Sequence, residues 1–166
     1  QIGKAYRFDE SGPRYIEFCK STVSSEISFS SLRIVIDCAN GACYKVSPEI
    51  FEELGAEVIT LGIDPDGYNI NKDCGSTHPE IIKEAVIKHR ADYGISLDGD
   101  GDRVIIVDEK GNILDGDDLL YILAFANPNR TGPWSGVVGT NMSNLGFEDG
   151  IKKLGYKFIR ADVGDK

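Results

Sequence analysis

Tyr93-Gly94-Ile95-Ser96-Leu97-Asp98-Gly99-Asp100-Gly101-Asp102-Arg103-Val104-Ile105-Ile106-Val107 is the stretch that decides how the rest of the chain is read. Its two apolar ends predict short buried strands, Tyr93–Leu97 and Val104–Val107, joined by a surface loop. That loop carries Asp98, Asp100 and Asp102, with glycine between them. Like charges this close repel one another unless a cation neutralises them. The donor set suits a hard divalent metal that takes oxygen ligands. A solvated acidic turn is the plain alternative, but an ordinary turn does not need three aspartates.

Working outward, strand and helix signals alternate. Arg33–Cys38 is a β-branched strand followed by Asn40-Gly41, a turn signal because both residues tolerate positive φ, favoured over a phosphate cradle because glycines are too few. Ser47-Pro48-Glu49 reads as a helix start, with Gly55 as its stop, and Glu57–Leu61 as a second strand. Thr77-His78-Pro79-Glu80 starts another helix, whose last turn holds His89. Between them lies the polar loop Gly62–Ser76. It is either a surface excursion or a functional loop whose Asn69, Asn71 and Lys72, with neighbouring His78, reach a ligand. Ser11 and Pro13 start a lead-in helix whose apolar face would be Tyr15, Ile16, Phe18 and Cys19. After the acidic stretch, Gly116-Asp117-Asp118 opens a helix through Leu123. Residues 127–135 (NPNRTGPWS) read as a linker. The pattern then restarts with strand Gly136–Thr140, a helix around Ser143–Leu154 and strand Tyr156–Ala161. The expectation is an α/β chain. Its first domain, 1–126, is a three-layer αβα sandwich on a mixed, mostly parallel sheet, and 136–166 opens a second, similar domain. The acidic loop would then lie at the C-terminal end of its strand, where such sheets bind ligands.

Composition narrows the function classes. The chain has 166 residues, 41% hydrophobic and 27% charged, an ordinary balance for a folded domain. No apolar run nears the roughly 20 residues of a membrane span. The formal net charge of −9 argues against nucleic acid and anionic membrane as partners. Cys19, Cys38, Cys43 and Cys74 form no CxxC pair, so free thiols in a reducing cytoplasm are expected rather than disulfides or a zinc site. The chain starts at Gln1 and stops at Lys166 in mid-pattern, which predicts an internal piece of a longer protein. Oligomeric state is not legible.

Two rival chemistries share parts of the acidic motif. A calcium EF-hand would match Asp98, Asp100, Asp102 and Glu109, but it needs glycine where Arg103 stands and helical flanks. A haloacid-dehalogenase-type phosphotransferase would match Asp98-Gly99-Asp100 after an apolar strand, but such enzymes open their domain with that strand. A non-catalytic metal-binding or regulatory module is the third alternative.

DGDGDR (Asp98–Arg103) also resembles the metal loop of the α-D-phosphohexomutases. IVIDCANGA (Ile34–Ala42), ELGAEV (Glu53–Val58), PDGYNINKDCGSTHPE (Pro65–Glu80), DGDGDRVIIVDEKGNILDGD (Asp98–Asp117), GTNMSNLG (Gly139–Gly146) and VGDK (Val163–Lys166) extend the likeness along nearly the whole chain. They favour the phosphoglucosamine branch over phosphomannomutases and phosphoglucomutases. The resemblance implies interconversion of glucosamine 6-phosphate and glucosamine 1-phosphate through an active-site phosphoserine and a bisphosphate, on the route to UDP-N-acetylglucosamine. It implies Mg²⁺ on Asp98, Asp100 and Asp102, with a phosphoserine oxygen completing the shell. It gives Arg103 a catalytic role toward phosphate or sugar oxygens, beside the structural one of holding the aspartates. Gly139, Thr140, Ser143, Asn144, Val163 and Gly164 would orient the phosphosugar substrate. Lys166 stands where VGDR, the commoner form, has arginine, and loses the planar fork, so it receives no role. No serine here stands in the family's phosphoserine context. The domains bearing it and the phosphate clamp would be supplied by the rest of the same chain, and this piece alone is expected to be inactive.

Overall fold

The computed structural model describes residues 3, 4, 6, 8–126 and 136–164. The expected linker 127–135 and Lys166 lie outside the described residues. In chain order the elements are α1 (Ser11–Ser21), β1 (Arg33–Asp37), α2 (Val46–Glu53), β2 (Glu57–Leu61), α3 (Pro79–His89), β3 (Tyr93–Leu97), β4 (Val104–Asp108) and β5 (Ile113–Leu114). They continue with α4 (Gly116–Ala126), β6 (Gly136–Thr140), α5 (Leu145–Lys153) and β7 (Lys157–Ala161). Two compact units result, one to Ile113 and one from Leu114.

The first unit is built on a sheet of order β2-β1-β3-β4-β5. β1 runs parallel to both β2 and β3, while β4 turns back antiparallel to β3, so the sheet is mixed as expected. Side chains alternate across β1. Ile34 and Ile36 enter one cluster with Cys38, Ala56 and Phe51 of α2. Val35 enters the other with Ile82, Ala85 and Val86 of α3 and Val107 of β4. A strand apolar on both faces must be covered on both, which is why RIVID reads as a continuous run and the unit has three layers. Gly94 lets α3 approach closely: a Cβ there would fall 2.6 Å from Val86 Cγ2 and 2.9 Å from Ile82 Cγ1.

Local starts differ from the sequence expectations in detail. Pro79 does take the first turn of α3, but the cap position is His78, not Thr77. α2 begins at Val46, one residue before Ser47, after a cap position at Lys45 that makes no side-chain cap bond. On α1 only Ile16 is buried, while Tyr15 and Phe18 are exposed. The apolar face read from sequence is therefore mostly not a core face.

The second unit has β6 parallel to β7. Ala124 of α4 packs with Phe147 and Ile151 of α5 and with Tyr156, and Val137 and Phe158 extend the cluster. α4 thus sorts with the second unit, and the division falls before this helix rather than after it, where the 1–126 boundary had put it. The helix is apolar nearly all round, so periodicity alone could not say which neighbour it covers.

Candidate metal centre and the loops around it

Leu97 pairs with Val104, so Asp98–Arg103 reverse the chain between antiparallel neighbours at the C-terminal end of β3. One carboxylate oxygen each from Asp98, Asp100 and Asp102 lie within 4.8 Å of one another. Asp98 is buried; the other two are exposed. Arg103 holds Asp98 twice: its backbone N–H donates to Oδ1 at 3.0 Å and its Nε to Oδ2 at 2.8 Å. Nε also lies 3.6 Å from Asp102 Oδ1. Gly101 closes the turn at φ +76°, donating to the Asp98 carbonyl at 3.1 Å. Burial opposes the Asp98 charge, yet the Arg103 backbone and side-chain donors outweigh it and hold this carboxyl below the ordinary value. Asp102 moves the other way, raised by its hydrogen bond with Asp98 and by the Asp100 charge. The trio is therefore short of positive charge even with Arg103 beside it, and that is the condition a divalent cation relieves. Asp98 accepts two bonds and still has lone pairs for an ion. All-oxygen donors and an open outer side fit Mg²⁺, which takes few carboxylates and completes its shell with water or phosphate oxygen. An EF-hand does not fit, because strands flank the loop.

Two neighbouring loops hold this one in place. The turn after β1 has Ala39 and Asn40, not Gly41, at positive φ (+54° and +49°). Gly41 is needed for space instead, since a Cβ there would overlap the Gly99 carbonyl oxygen. Ala42 N–H donates to that same oxygen at 2.8 Å. The long loop 62–76 packs against both. Asn71 N–H donates to the Ala39 carbonyl at 2.9 Å, and Ser76 N–H to the Leu97 carbonyl at 2.9 Å. Of the residues expected to reach a ligand, Asn69 builds the loop's own tip through Asp64 and Asp66. His78 Nδ1 bonds the Cys74 carbonyl and Thr77 Oγ1. Lys72 is exposed. Asn71 lies beside Gly99, and its buried Oδ1 has no partner among the described residues.

In the second unit a cavity of about 320 Å³ is lined by Gly139, Thr140 and Ser143 together with Asp115, Asp117 and Met142. Ser143 Oγ accepts from Thr140 N–H at 3.1 Å, and Thr140 Oγ1 accepts from Met142 N–H at 3.1 Å. Asn144 caps α5, its Oδ1 accepting from Phe147 N–H at 2.9 Å. Its own N–H donates to Asp117 at 2.8 Å. Val163 is exposed, and neither it nor Gly164 lines this cavity. Asn141 ties the loop to Asp162 at 2.8 Å, next to Val163.

Residues 13–111 match the family description "Phosphoglucomutase/phosphomannomutase, alpha/beta/alpha domain II", and residues 115–166 match its domain III. The chain belongs to the phosphoglucomutase/phosphomannomutase family. Both matches stop short of the unit division from their own side, so α4 counts with domain III here too. A protein named phosphoglucosamine mutase from Alkalilimnicola ehrlichii is 57% identical over 169 residues, covering 100% of this chain and 37% of its own length. One of the same name from Legionella pneumophila is 55% identical over 166 residues, with 100% and 36% covered. The chain thus spans little more than a third of these relatives. A solved phosphoglucomutase/phosphomannomutase family protein from Burkholderia thailandensis superposes with TM-score 0.77 at 24% identity, over 92% of this chain and 33% of that one. At that identity it shows the fold.

Within domain II, sequence reading missed Asp37. This carboxylate is fully buried, with Oδ1 accepting from Ala39 N–H at 2.9 Å and Oδ2 from Gly75 N–H at 2.7 Å. A signal was present: a charge inside an apolar run is costly to bury, so it must have partners. Within domain III it missed Arg160, which donates to the Thr140 and Ser143 carbonyls at 3.1 and 2.9 Å and pairs with Glu148 at 2.8 Å. In sequence Arg160 is one of two charges on its strand, and nothing marks it out.

Proposed function

We propose that the protein bearing this sequence is a phosphoglucosamine mutase. It interconverts glucosamine 6-phosphate and glucosamine 1-phosphate with Mg²⁺, through a phosphoserine and a bisphosphate, on the route to UDP-N-acetylglucosamine. The observation that carries the reading is the clustering of Asp98, Asp100 and Asp102 oxygens within 4.8 Å on the β3–β4 loop of domain II. The relatives that match over the whole of this chain and bear the mutase name support it. Phosphoryl transfer asks the protein for position and charge neutralisation rather than covalent work. Bound Mg²⁺ would supply the neutralisation on the transferring phosphoryl oxygens. Asp98, Asp100 and Asp102 would hold the ion, with Arg103 fixing Asp98 at the buried corner. The Arg103 guanidinium, 68% exposed beyond its Nε bond, would turn its fork to phosphate or sugar oxygens. Gly139, Thr140 and Ser143 would orient the sugar at the domain III cavity. Asn144 would act as a cap and only indirectly on substrate. The phosphoserine and the phosphate clamp are assigned to the parts of the relatives' length outside this match.

On this reading, the full-length enzyme converts glucosamine 6-phosphate faster than mannose 6-phosphate or glucose 6-phosphate. Asp100→Asn lowers kcat by about 10²-fold or more, the loss typical of removing one transition-state charge stabiliser. The purified chain of 166 residues turns over nothing and binds Mg²⁺ only weakly in calorimetry. Full activity in Asp100→Asn, or turnover by the isolated chain, would overturn the corresponding part.

A further inference from the structure

We infer that Asp37 is the positioning residue of the metal loop, although its own hydrogen bonds go to Ala39 and Gly75 in the neighbouring loops. The inference rests on the metal reading above. Asp37 closes the C-terminal end of β1 and is fully buried. Its two oxygens divide between two loops: Oδ1 takes Ala39 N–H, in the turn after β1, and Oδ2 takes Gly75 N–H, at the end of the long loop. Both donors lie in tight turns with left-handed backbone. Ala39 sits at φ +54°, and Gly75 at φ +78° with a virtual Cβ only 2.5 Å from Ala39 Cβ and 2.7 Å from the Leu97 oxygen. From these anchor points each loop reaches one side of the acidic stretch. On one side, Ala42 N–H meets the Gly99 carbonyl and Gly41 leaves room for it. On the other, Ser76 N–H meets the Leu97 carbonyl, directly before Asp98. Asn71, bonded to the Ala39 carbonyl, places its side chain against Gly99.

The glycines that let three carboxylates converge also leave the loop without stiffness of its own. Its geometry must be imposed from outside, and the two outside braces share one acceptor. An ionised carboxylate is the group that can accept both N–H donors at once. An asparagine would accept one and turn an N–H toward the other. Outer-shell partners of this kind govern metal affinity without ligating.

The test follows Mn²⁺ by paramagnetic broadening of amide signals in wild type, Asp37→Asn, Gly41→Ala and Asp100→Asn of the full chain, together with hydrogen exchange without metal. Wild type is expected to show selective broadening around Gly99 and Gly101 that Asp100→Asn removes. Asp37→Asn is expected to weaken that binding by about 10- to 100-fold. It should also speed exchange at Ala42 and Ser76 while Val107, in the sheet, stays protected. Gly41→Ala crowds the same brace without touching Asp37 and should weaken Mn²⁺ likewise, which decides the matter if Asp37→Asn does not fold. A folded Asp37→Asn or Gly41→Ala with wild-type Mn²⁺ affinity overturns the inference. If Asp100→Asn changes nothing, the metal reading fails instead. Slow exchange at Ala42 and Ser76 in Asp37→Asn would then overturn the bracing role as well.

Discussion

At the scale of single residues, the first unit sets a buried carboxyl that is hydrogen-bonded on both oxygens beside a buried thiol packed among apolar side chains. Asp37 and Cys38 are adjacent and both fully buried. Asp37 accepts from two N–H donors, as buried polar oxygens need. Cys38 points into the other layer, among Ile34, Ile36 and Ala56. Burial there pushes its thiol up to about 12, with smaller contributions from Cys43 and Asp37. The thiolate is the nucleophile, so Cys38 should resist iodoacetamide at pH 8 in the folded chain and react once unfolded, while the half-buried Cys43 reacts first. The sign of the stability effect follows from the same shift. A proton held more tightly in the folded state gives stability that is present below the unfolded thiol's pKa and lost as pH rises toward 12. The slope approaches about 1.4 kcal/mol per pH unit in that window. Urea midpoints at pH 8 and 10.5 should converge for Cys38→Ala relative to wild type. An equal fall in both proteins would rule out Cys38 as the cause.

At the scale of elements, what could be read from sequence was what a single element shows by itself. The acidic triad was legible because glycine and aspartate alternate in one short stretch, and the hairpin from Leu97 to Val104 carries all three aspartates. β1 was legible as a buried strand from its unbroken RIVID. The braces were not, because they depend on which loops end side by side once β1 lies between β2 and β3. Asn40-Gly41 illustrates the limit. The dipeptide marked a turn correctly, but close approach to Gly99 fixes the glycine, and the positive φ falls on Ala39 and Asn40. Gly94 was likewise unremarkable in an apolar run, yet it sets the distance between β3 and α3. Gly94→Ala should destabilise the first unit by about 1–3 kcal/mol, the usual penalty for an added methyl in a packed layer. Equilibrium urea unfolding would read it. An unchanged or raised midpoint would mean that α3 can retreat from Val86 and Ile82 contact without loss.

At the scale of the whole molecule, the division at Ile113 turns on where α4 buries its apolar surface. Ala124 is met by Phe147, Ile151 and Tyr156, all in the second unit, whereas the first unit's clusters close on Val107 and Ile113 without it. Much of α4 stays uncovered even so: Leu123 is 67% exposed and Phe125 59%. A helix gains most of its stability from packing one face, so α4 joined to the wrong partner would be a liability rather than a support. A chain ending at Leu114 should therefore fold with the urea midpoint of the first unit and with little affinity for a hydrophobic dye. One ending at Ala126 should show the same midpoint but bind the dye strongly, because it carries α4 without Phe147, Ile151 and Tyr156. If the longer piece were instead more stable by about 1 kcal/mol or more and dye-silent, α4 would belong to the first unit. Domain II would then end after the helix, where the proline-, glycine- and polar-rich stretch of the sequence alone had placed it.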